Sequence, residues 1–385
     1  MLRLLVESVG ITADDADRGQ RERKCPRKRP ISDVAAVELT LANRNQKNRC
    51  PAFAARHRCR CNHLEKEKWT MGTALDKYAD MKPNWDYPVI IESHINGIRT
   101  KEMNPNTPIS YDEIAEDAIR CWEAGAGAIH AHNTSFDLMG ADAYKDYMRT
   151  WDMVLQKHPD ITWYPTTCNN LRLKGDENGL QHVPLLIEKA NVRIACVDTG
   201  LTLFATETDA EGYLAGPEFG FNYERVGSQI KMLREHGTPM VFGVYEPGHL
   251  RHAMHYVNKG LSTPGSMWDF YLIGDYGLTA TEPIGTNGMK PSLESLYYYL
   301  WMIEEAKVKH PWYISIWGQG ALDDTSILRR AIELGGHIKT GLELFYDPAR
   351  NPTNLELLQQ AQEIAREVGR PIATADEARA LYNIR

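Results

Sequence analysis

Nowhere in the 385 residues does an apolar run approach the roughly 18 residues that a membrane span requires. The opening Met1-Leu2-Arg3-Leu4-Leu5-Val6 is too short for the apolar stretch of a secretory signal, and no small-residue cleavage site follows it. The chain therefore reads as soluble and cytoplasmic, with no membrane partner. Cysteine is scarce: seven residues, of which Cys25, Cys50, Cys59 and Cys61 fall in the first 61. Cys121, Cys168 and Cys196 sit in apolar segments, where a free thiol packs as a small hydrophobe, so no disulfide framework is expected. Excess positive charge is missing too. The net charge is −7, and residues 71–385 carry 28 Lys and Arg against 42 Asp and Glu. Phosphate backbones bind basic surfaces, so this acidic body excludes nucleic acid as the main ligand.

What is present is an ordinary globular composition, 43% hydrophobic and 25% charged, preceded by one foreign segment. Residues 1–70 hold 16 Lys and Arg against 9 Asp and Glu, show no sustained apolar period, and contain the run RKCPRKRP at 23–30. Such a stretch cannot bury enough apolar surface to offset its ordering entropy. It reads as a basic leader, disordered or lying upstream of a start at Met71. An arm for anionic surfaces and a metal knuckle on Cys59, Cys61 and His63 are the sharper alternatives. The knuckle lacks a second ligand pair at zinc-finger spacing. Residues 71–385 are the expected catalytic domain.

From residue 88 on, short apolar runs alternate with amphipathic stretches. Strands are expected at 88–94, 127–132, 161–167, 193–198, 239–245, 268–273, 312–316 and 337–343. Helices are expected near 111–124, 140–157, 182–190, 222–236, 247–259, 291–308, 322–334 and 354–368. Eight strands, each followed by a helix, give the rhythm of an α/β (β/α)8 TIM barrel. The rival, a doubly wound open sheet, lacks a G-x-G-x-x-G turn after its first strand. Ser110 with Glu113 forms an N-cap box, Thr353 caps the last helix, and Gly369 ends it. The helix holding Tyr297, Tyr298, Tyr299 and Trp301 is apolar most of the way round, so it lies in the barrel wall or at a subunit contact.

In a barrel of this kind, chemistry belongs at the C-terminal ends of the strands. His130 and His132 end the second strand, two residues apart and so on one face, pointing into the mouth. Two imidazoles there suit a zinc-like ion. Glu343 ends the eighth strand and supplies a carboxylate that itself needs a partner if buried. His94, Asp198 and Glu246 also end strands and are alternative third ligands.

The segment 88–132, with Gly97, Asn104-Pro105, Glu113, Ala124-Gly125-Ala126 and His130-x-His132, resembles the β-keto acid cleavage enzymes. So do Gly335-Gly336-His337-Ile338 through Gly341 and Glu343, and Gly369-Arg370-Pro371 with Glu377-Ala378-Arg379 at the end. The resemblance covers about 88–385. It implies a TIM barrel with one Zn2+ on His130, His132 and Glu343. It also implies transfer of the acyl part of a small β-keto acid to CoA, with acetyl-CoA as co-substrate and acetoacetate as the other product, in a homo-oligomer. Zinc would act as a Lewis acid on the keto oxygen.

The chain departs from the family around this shell. Lys339 stands where an Arg is usual, Leu344 where an acid follows the ligand Glu, and Thr134 where an Arg follows the second His. Arg99 and Gly243 replace acids, and Gln319, in a glycine turn at 318–320 that could meet a CoA phosphate, lies near a usual Arg. Lysine cannot copy a bidentate guanidinium. The polar work then falls to Lys339, to Thr166 for the substrate carboxylate, and to Glu246, Asp198 or His94 as base. These departures keep two alternatives open: a metal-dependent hydrolase or lyase acting on a keto acid without CoA, and a non-catalytic metal-bearing binding protein.

Overall fold

In a computed structural model, residues 71–167, 180–277, 280–285, 287–319 and 325–384 are described. The leader, its charge run and the Cys59, Cys61 and His63 trio lie outside them, as do Cys168 and Gly320. The barrel and its site belong to the unit Lys66–Arg385.

Eight parallel strands form one sheet: β1 (Ile91–His94), β2 (Ala128–Ala131), β3 (Trp163–Pro165), β4 (Ala195–Asp198), β9 (Met240–Val244), β10 (Met267–Ile273), β11 (Trp312–Trp317) and β12 (His337–Thr340). Between β4 and β9 come four short strands, β5 (Leu201–Leu203), β6 (Glu207–Thr208), β7 (Leu214–Ala215) and β8 (Glu218–Gly220). The eight-strand order is β3-β2-β1-β12-β11-β10-β9-β4, and β3 packs against β4, so the sheet rolls into a nearly closed (β/α)8 barrel. All eight expected strands are present. Their residues are buried almost throughout, which is why they read as continuous apolar runs.

Among the described residues eight helices cover the barrel: α2 (Tyr111–Glu123), α3 (Gly140–Lys157), α4 (His182–Lys189), α5 (Tyr223–Glu235), α6 (Pro247–Asn258), α7 (Leu293–Ile303) and α8 (Ser326–Glu333) between strands, and α9 (Asn354–Val368) after the last one. Capping boxes at Ser110 with Glu113 and Thr353 with Glu356 start α2 and α9, and Gly369 at φ 84° stops α9. Helix α7 ends at Ile303, five residues short of expectation, and buries Tyr297, Tyr299 and Leu300 in the wall. Two helices were not foreseen: α1 (Met71–Ala79), which packs on α7, and α10 (Ala375–Leu381), opened by a third capping box of Thr374 with Glu377.

Two further differences bear on function. Residues 199–222, to which no periodicity points, fold into two antiparallel pairs, β5 with β8 and β6 with β7, beyond the C-terminal end of β4. The eighth strand stops at Thr340 rather than 343, because Gly341 takes φ 132° and any Cβ there would strike the backbone of His94. Glu343 therefore sits on a turn across the end of β1, with its amide donating to the His94 carbonyl at 3.3 Å.

The barrel interior carries a polar layer. Register sets Glu92 beside Lys339 and His94 beside His130. Lys339 Nζ lies 2.8 Å from Asp269 Oδ2 and 3.6 Å from Glu92 Oε2, between the faces of Tyr164 and Tyr313. The hydroxyls of Tyr164 and Tyr382 donate to the two oxygens of Glu92, and Tyr382 also meets the Tyr313 hydroxyl. Burial opposes ionisation of Glu92, but Lys339 and His94 outweigh it and hold the carboxyl well below its usual range. A buried charge survives only when it is paired and hydrogen-bonded, so Tyr382, which follows α10, is a structural partner of a carboxylate at the barrel axis. Tyr382→Phe should cost about 2 kcal/mol, the loss of a hydrogen bond to a charged group, read as a lower midpoint in thermal unfolding while Tyr382→Ala costs more.

Candidate metal centre and active site

At the C-terminal end of the barrel three imidazoles converge on one carboxylate. His132 Nε2 lies 3.2 Å from Glu343 Oε1; His130 Nε2 and His94 Nδ1 lie 3.3 and 3.2 Å from Oε2. Each residue's position has a local cause. His130 and His132 face inward by the period of two along β2. Asn96 clamps the strand ends, its side chain accepting from the His132 amide at 2.8 Å and donating to the His132 carbonyl at 3.3 Å. Gly97, at φ 55°, passes so close to Glu343 that an added Cβ would overlap the Glu343 Cγ.

The protonation pattern suits a cation. His130 turns Nδ1 to the Tyr164 carbonyl at 3.1 Å, leaving Nε2 for the centre, and burial with neighbouring positive groups pushes its pKa well below 6.5. Neutral imidazole is the metal-binding form. Burial also works against charging His94, yet Glu343 and Glu92 outweigh it and raise its pKa. Burial alone would raise the Glu343 carboxyl, but His130 and His132 hold it well below the usual range. The donor atoms of His94, His130 and Glu343 lie within 4.8 Å of one another. A divalent ion among them would take ring lone pairs and offset the carboxylate charge, and nitrogen and oxygen donors of this kind fit zinc. Behind His94 stand Glu92 Oε2, 3.7 Å from Nε2, and the Tyr164 hydroxyl at 3.2 Å. This is the arrangement that orients metal-binding histidines elsewhere.

The other residues singled out from sequence divide into two groups. Thr166 and Asp198 line a narrow cavity together with His130, His132 and Glu343. Burial, then repulsion from Asp269 and Glu343, lifts Asp198 to about 7. Gly243, on the neighbouring strand, explains how Asp198 fits: a Cβ at 243 would stand 2.7 Å from Asp198 Oδ1. The acid expected at 243 is absent, and the Asp198 carboxylate occupies the space over that glycine. Lys339 and Glu246 do not border this cavity. Lys339 belongs to the polar layer two residues deeper. Glu246 accepts from the Thr202 hydroxyl at 2.9 Å and the Gly288 amide at 2.8 Å, tying the small hairpins to the loop before α7.

The departures from family pattern also find their places. Leu344 is buried with Phe204, Tyr245, Tyr271, Ile273 and Trp317, an apolar surrounding in which an acid would be unpaired. The amide and hydroxyl of Thr134 both donate to Asp146. Gln319 hydrogen-bonds Asp347. The residues missed from sequence are the aromatic wall of Phe219, Tyr245, Tyr271 and Trp317; Phe219 comes from the unforeseen hairpins, and the rest are inward positions of long apolar strands that carry no signal beyond burial.

A family model for the beta-keto acid cleavage enzyme matches residues 88–384, and the chain belongs to that family. It is 27% identical over 302 residues to a 3-keto-5-aminohexanoate cleavage enzyme of Fusobacterium nucleatum, covering 77% of this chain and 98% of the relative. A protein of the same description from Acetoanaerobium sticklandii is 26% identical over 305 residues, at 77% and 98% coverage. A 3-oxoadipate:acetyl-CoA acetyltransferase of Cupriavidus necator is 24% identical over 305 residues, at 77% and 95%. The chain is thus an enzyme of the β-keto acid cleavage type. No helix among the described residues is long and apolar enough to cross a membrane.

Gly97→Ala tests how the centre is built. The overlap with Glu343 and the left-handed backbone, about 1 kcal/mol or more for a residue with Cβ, should lower the unfolding midpoint and displace the carboxylate. Zinc retained per chain, measured by elemental analysis after dialysis, should fall well below that of the unaltered protein.

Proposed function

We propose that the chain is a zinc-dependent acyltransferase that converts a β-keto acid and acetyl-CoA to acetoacetate and a new acyl-CoA. The observation that carries this reading is the packing of His130 and His132 against the two oxygens of Glu343, with His94 at the same oxygen as His130 and Asp198 lining the same cavity, in a chain that belongs to this family. His130, His132 and Glu343 would hold the ion, with His94 a fourth donor backed by Glu92. When bound, the ion supplies Lewis acidity to the keto oxygen and a counter-charge to the carboxylate. Thr166 lines the same cavity and offers its hydroxyl to the substrate carboxylate. Acetyl-CoA reaches this chain through its relative's description and the chemistry of the exchange.

Asp198 is the base. A carboxylate whose proton affinity sits near neutral both accepts and returns a proton efficiently. It takes a proton from the carbon between the keto and carboxylate groups, and that carbon attacks the acetyl thioester, releasing CoA thiolate. The thiolate attacks the original keto carbon, whose bond to the same central carbon breaks. The acyl group leaves on sulfur, and the central carbon, now part of acetoacetate, takes back the proton from Asp198. The aromatic wall of Tyr245, Tyr271 and Trp317 excludes water that would hydrolyse either thioester. Lys339 acts through Glu92, fixing the charge of the layer on which His94 rests. The exposed Leu201, Leu203, Tyr213 and Leu214 on the small hairpins support assembly with further copies of the chain.

Zinc-loaded protein supplied with a β-keto acid should form acetoacetate only when acetyl-CoA is added. Consumption of the keto acid without CoA would favour the hydrolase or lyase, and zinc binding without any turnover the binding protein. His130→Ala should lose both the zinc and the reaction. Asp198→Asn should keep one zinc per chain and lower kcat about 10²- to 10⁴-fold. Its rising limb of activity with pH should vanish as well. In the unaltered protein that limb lies at or below pH 7, because a bound dication offsets the Glu343 charge that helps raise Asp198.

A further inference from the structure

The strand that delivers Glu343 stops three residues short of it. β12 ends at Thr340, its register with β1 running Ile338 to Thr340 against Ile91 to Ser93. Gly341 follows at φ 132°, a backbone state that glycine holds without strain. The place of the Glu343 carboxylate then depends on what anchors residues 341–343. The Glu343 amide donates to the His94 carbonyl at 3.3 Å, and Arg99 Nε donates to the Glu343 carbonyl at 3.4 Å. Both bonds are long. The Leu342 amide has a shorter one, donating to Asn354 Oδ1 at 2.7 Å.

Asn354 opens α9 and is fully buried. Its Nδ2 donates to the Ile95 carbonyl at 2.7 Å and to Asp117 Oδ2, on α2, at 2.5 Å. Ile95 in turn donates its amide to the His130 carbonyl at 2.9 Å. One side chain therefore joins the turn of Glu343, the chain just past His94 and, through Ile95, the strand of His130. The partners fix the orientation of the amide: the Leu342 N–H donates, while the Ile95 carbonyl and the Asp117 carboxylate accept. Among side chains this short, only asparagine offers one acceptor with two donors. Asn96 plays the same part for His132, accepting from its amide and donating to its carbonyl.

We infer that Asn354, held by Asp117, is a positioning residue of the metal centre: it sets the Glu343 carboxylate against the imidazoles of His94 and His130, and with it the affinity and shape of the site for a divalent ion. This rests on the zinc-dependent reading of the centre. Asn354 is not among the residues lining the cavity there, so it acts through the backbone of Leu342 and Ile95. Without its amide, the Leu342 N–H and the Ile95 carbonyl lose their partner, and an unmet buried polar group is costly. The turn that Gly341 permits can relieve that cost by moving, and the carboxylate moves with it.

The test is competition for zinc against a chromophoric chelator, with the visible absorption of bound cobalt(II) recorded beside it. Neither readout needs turnover. Asn354→Ala should raise the zinc Kd about 10- to 100-fold, the usual weight of groups that hold metal ligands in place, and should shift the cobalt bands. Ser266→Ala is the comparison. It removes a buried hydroxyl that accepts from the Met240 amide at 3.0 Å where β9 and β10 begin, at the opposite end of the barrel. It should lower the unfolding midpoint and leave both readouts unchanged. Asn354→Asp sets a carboxylate against Asp117 and the Ile95 carbonyl, and should weaken zinc binding by a similar factor. Adding Asp117→Asn exchanges the two groups, restores a donor between them and should recover most of that loss; this pair carries the test if Asn354→Ala does not fold. A folded Asn354→Ala that binds zinc and cobalt as the unaltered protein does overturns the inference alone, as does an exchange that recovers no affinity. An unaltered protein that takes up neither ion overturns the zinc reading together with it.

Discussion

The carboxylate of Glu343 is the point on which the upper half of this barrel is organised. Three imidazoles turn toward it, Gly97 is glycine because of it, and Gly341 bends the chain to deliver it over β1. None of these groups would be stable alone at such burial. An unpaired carboxylate surrounded by strand ends demands compensation of several kcal/mol, and His130, His132 and His94 supply it in a form that a divalent ion can take over. The side chains are therefore in place without any ligand, so an ion would meet a formed site instead of ordering loose side chains.

Beneath that cluster lies a second balance of charge. Glu92 and Asp269 face Lys339, with the hydroxyls of Tyr164, Tyr313 and Tyr382 closing the remaining valences. TIM-barrel interiors are commonly filled by branched apolar side chains. Here one layer is ionic, and its Glu92 also touches His94. The two layers are coupled through His94 and through the repulsion of Asp198 by Asp269, so the electrostatics of the mouth depend on residues that never reach the cavity.

Much of this was legible in the sequence, for identifiable reasons. A strand buried on both faces is a run of apolar residues, and eight such runs separated by amphipathic helices leave few folds. His130 and His132 stood out because two side chains at a spacing of two along a strand share a face. Glu343 was legible only as a strand-end residue, and the turn at Gly341 that places it was not foreseen. The hairpins of 199–222 were missed because strands of two or three residues carry no measurable period. Lys339 and Glu246 were grouped with the chemistry because both lie at or near strand ends, but alternation along a strand does not tell depth, and Lys339 lies one layer too low. Asp198 was named from its place at a strand end, but the room that Gly243 leaves for its carboxylate was not legible, being a relation between neighbouring strands that are distant in sequence.

The pairing of Glu92 has a consequence for how the barrel closes. Glu92 stands on β1, its counter-charge Lys339 on β12, and one of its hydroxyl donors, Tyr382, after α10, so its partners come from parts of the chain some 250 to 290 positions away. Contacts so distant in sequence form late and slowly, because loop-closure entropy opposes them. The acid can be ionised at no cost only once the ring of strands has shut, so closing the barrel and charging its interior are a single event.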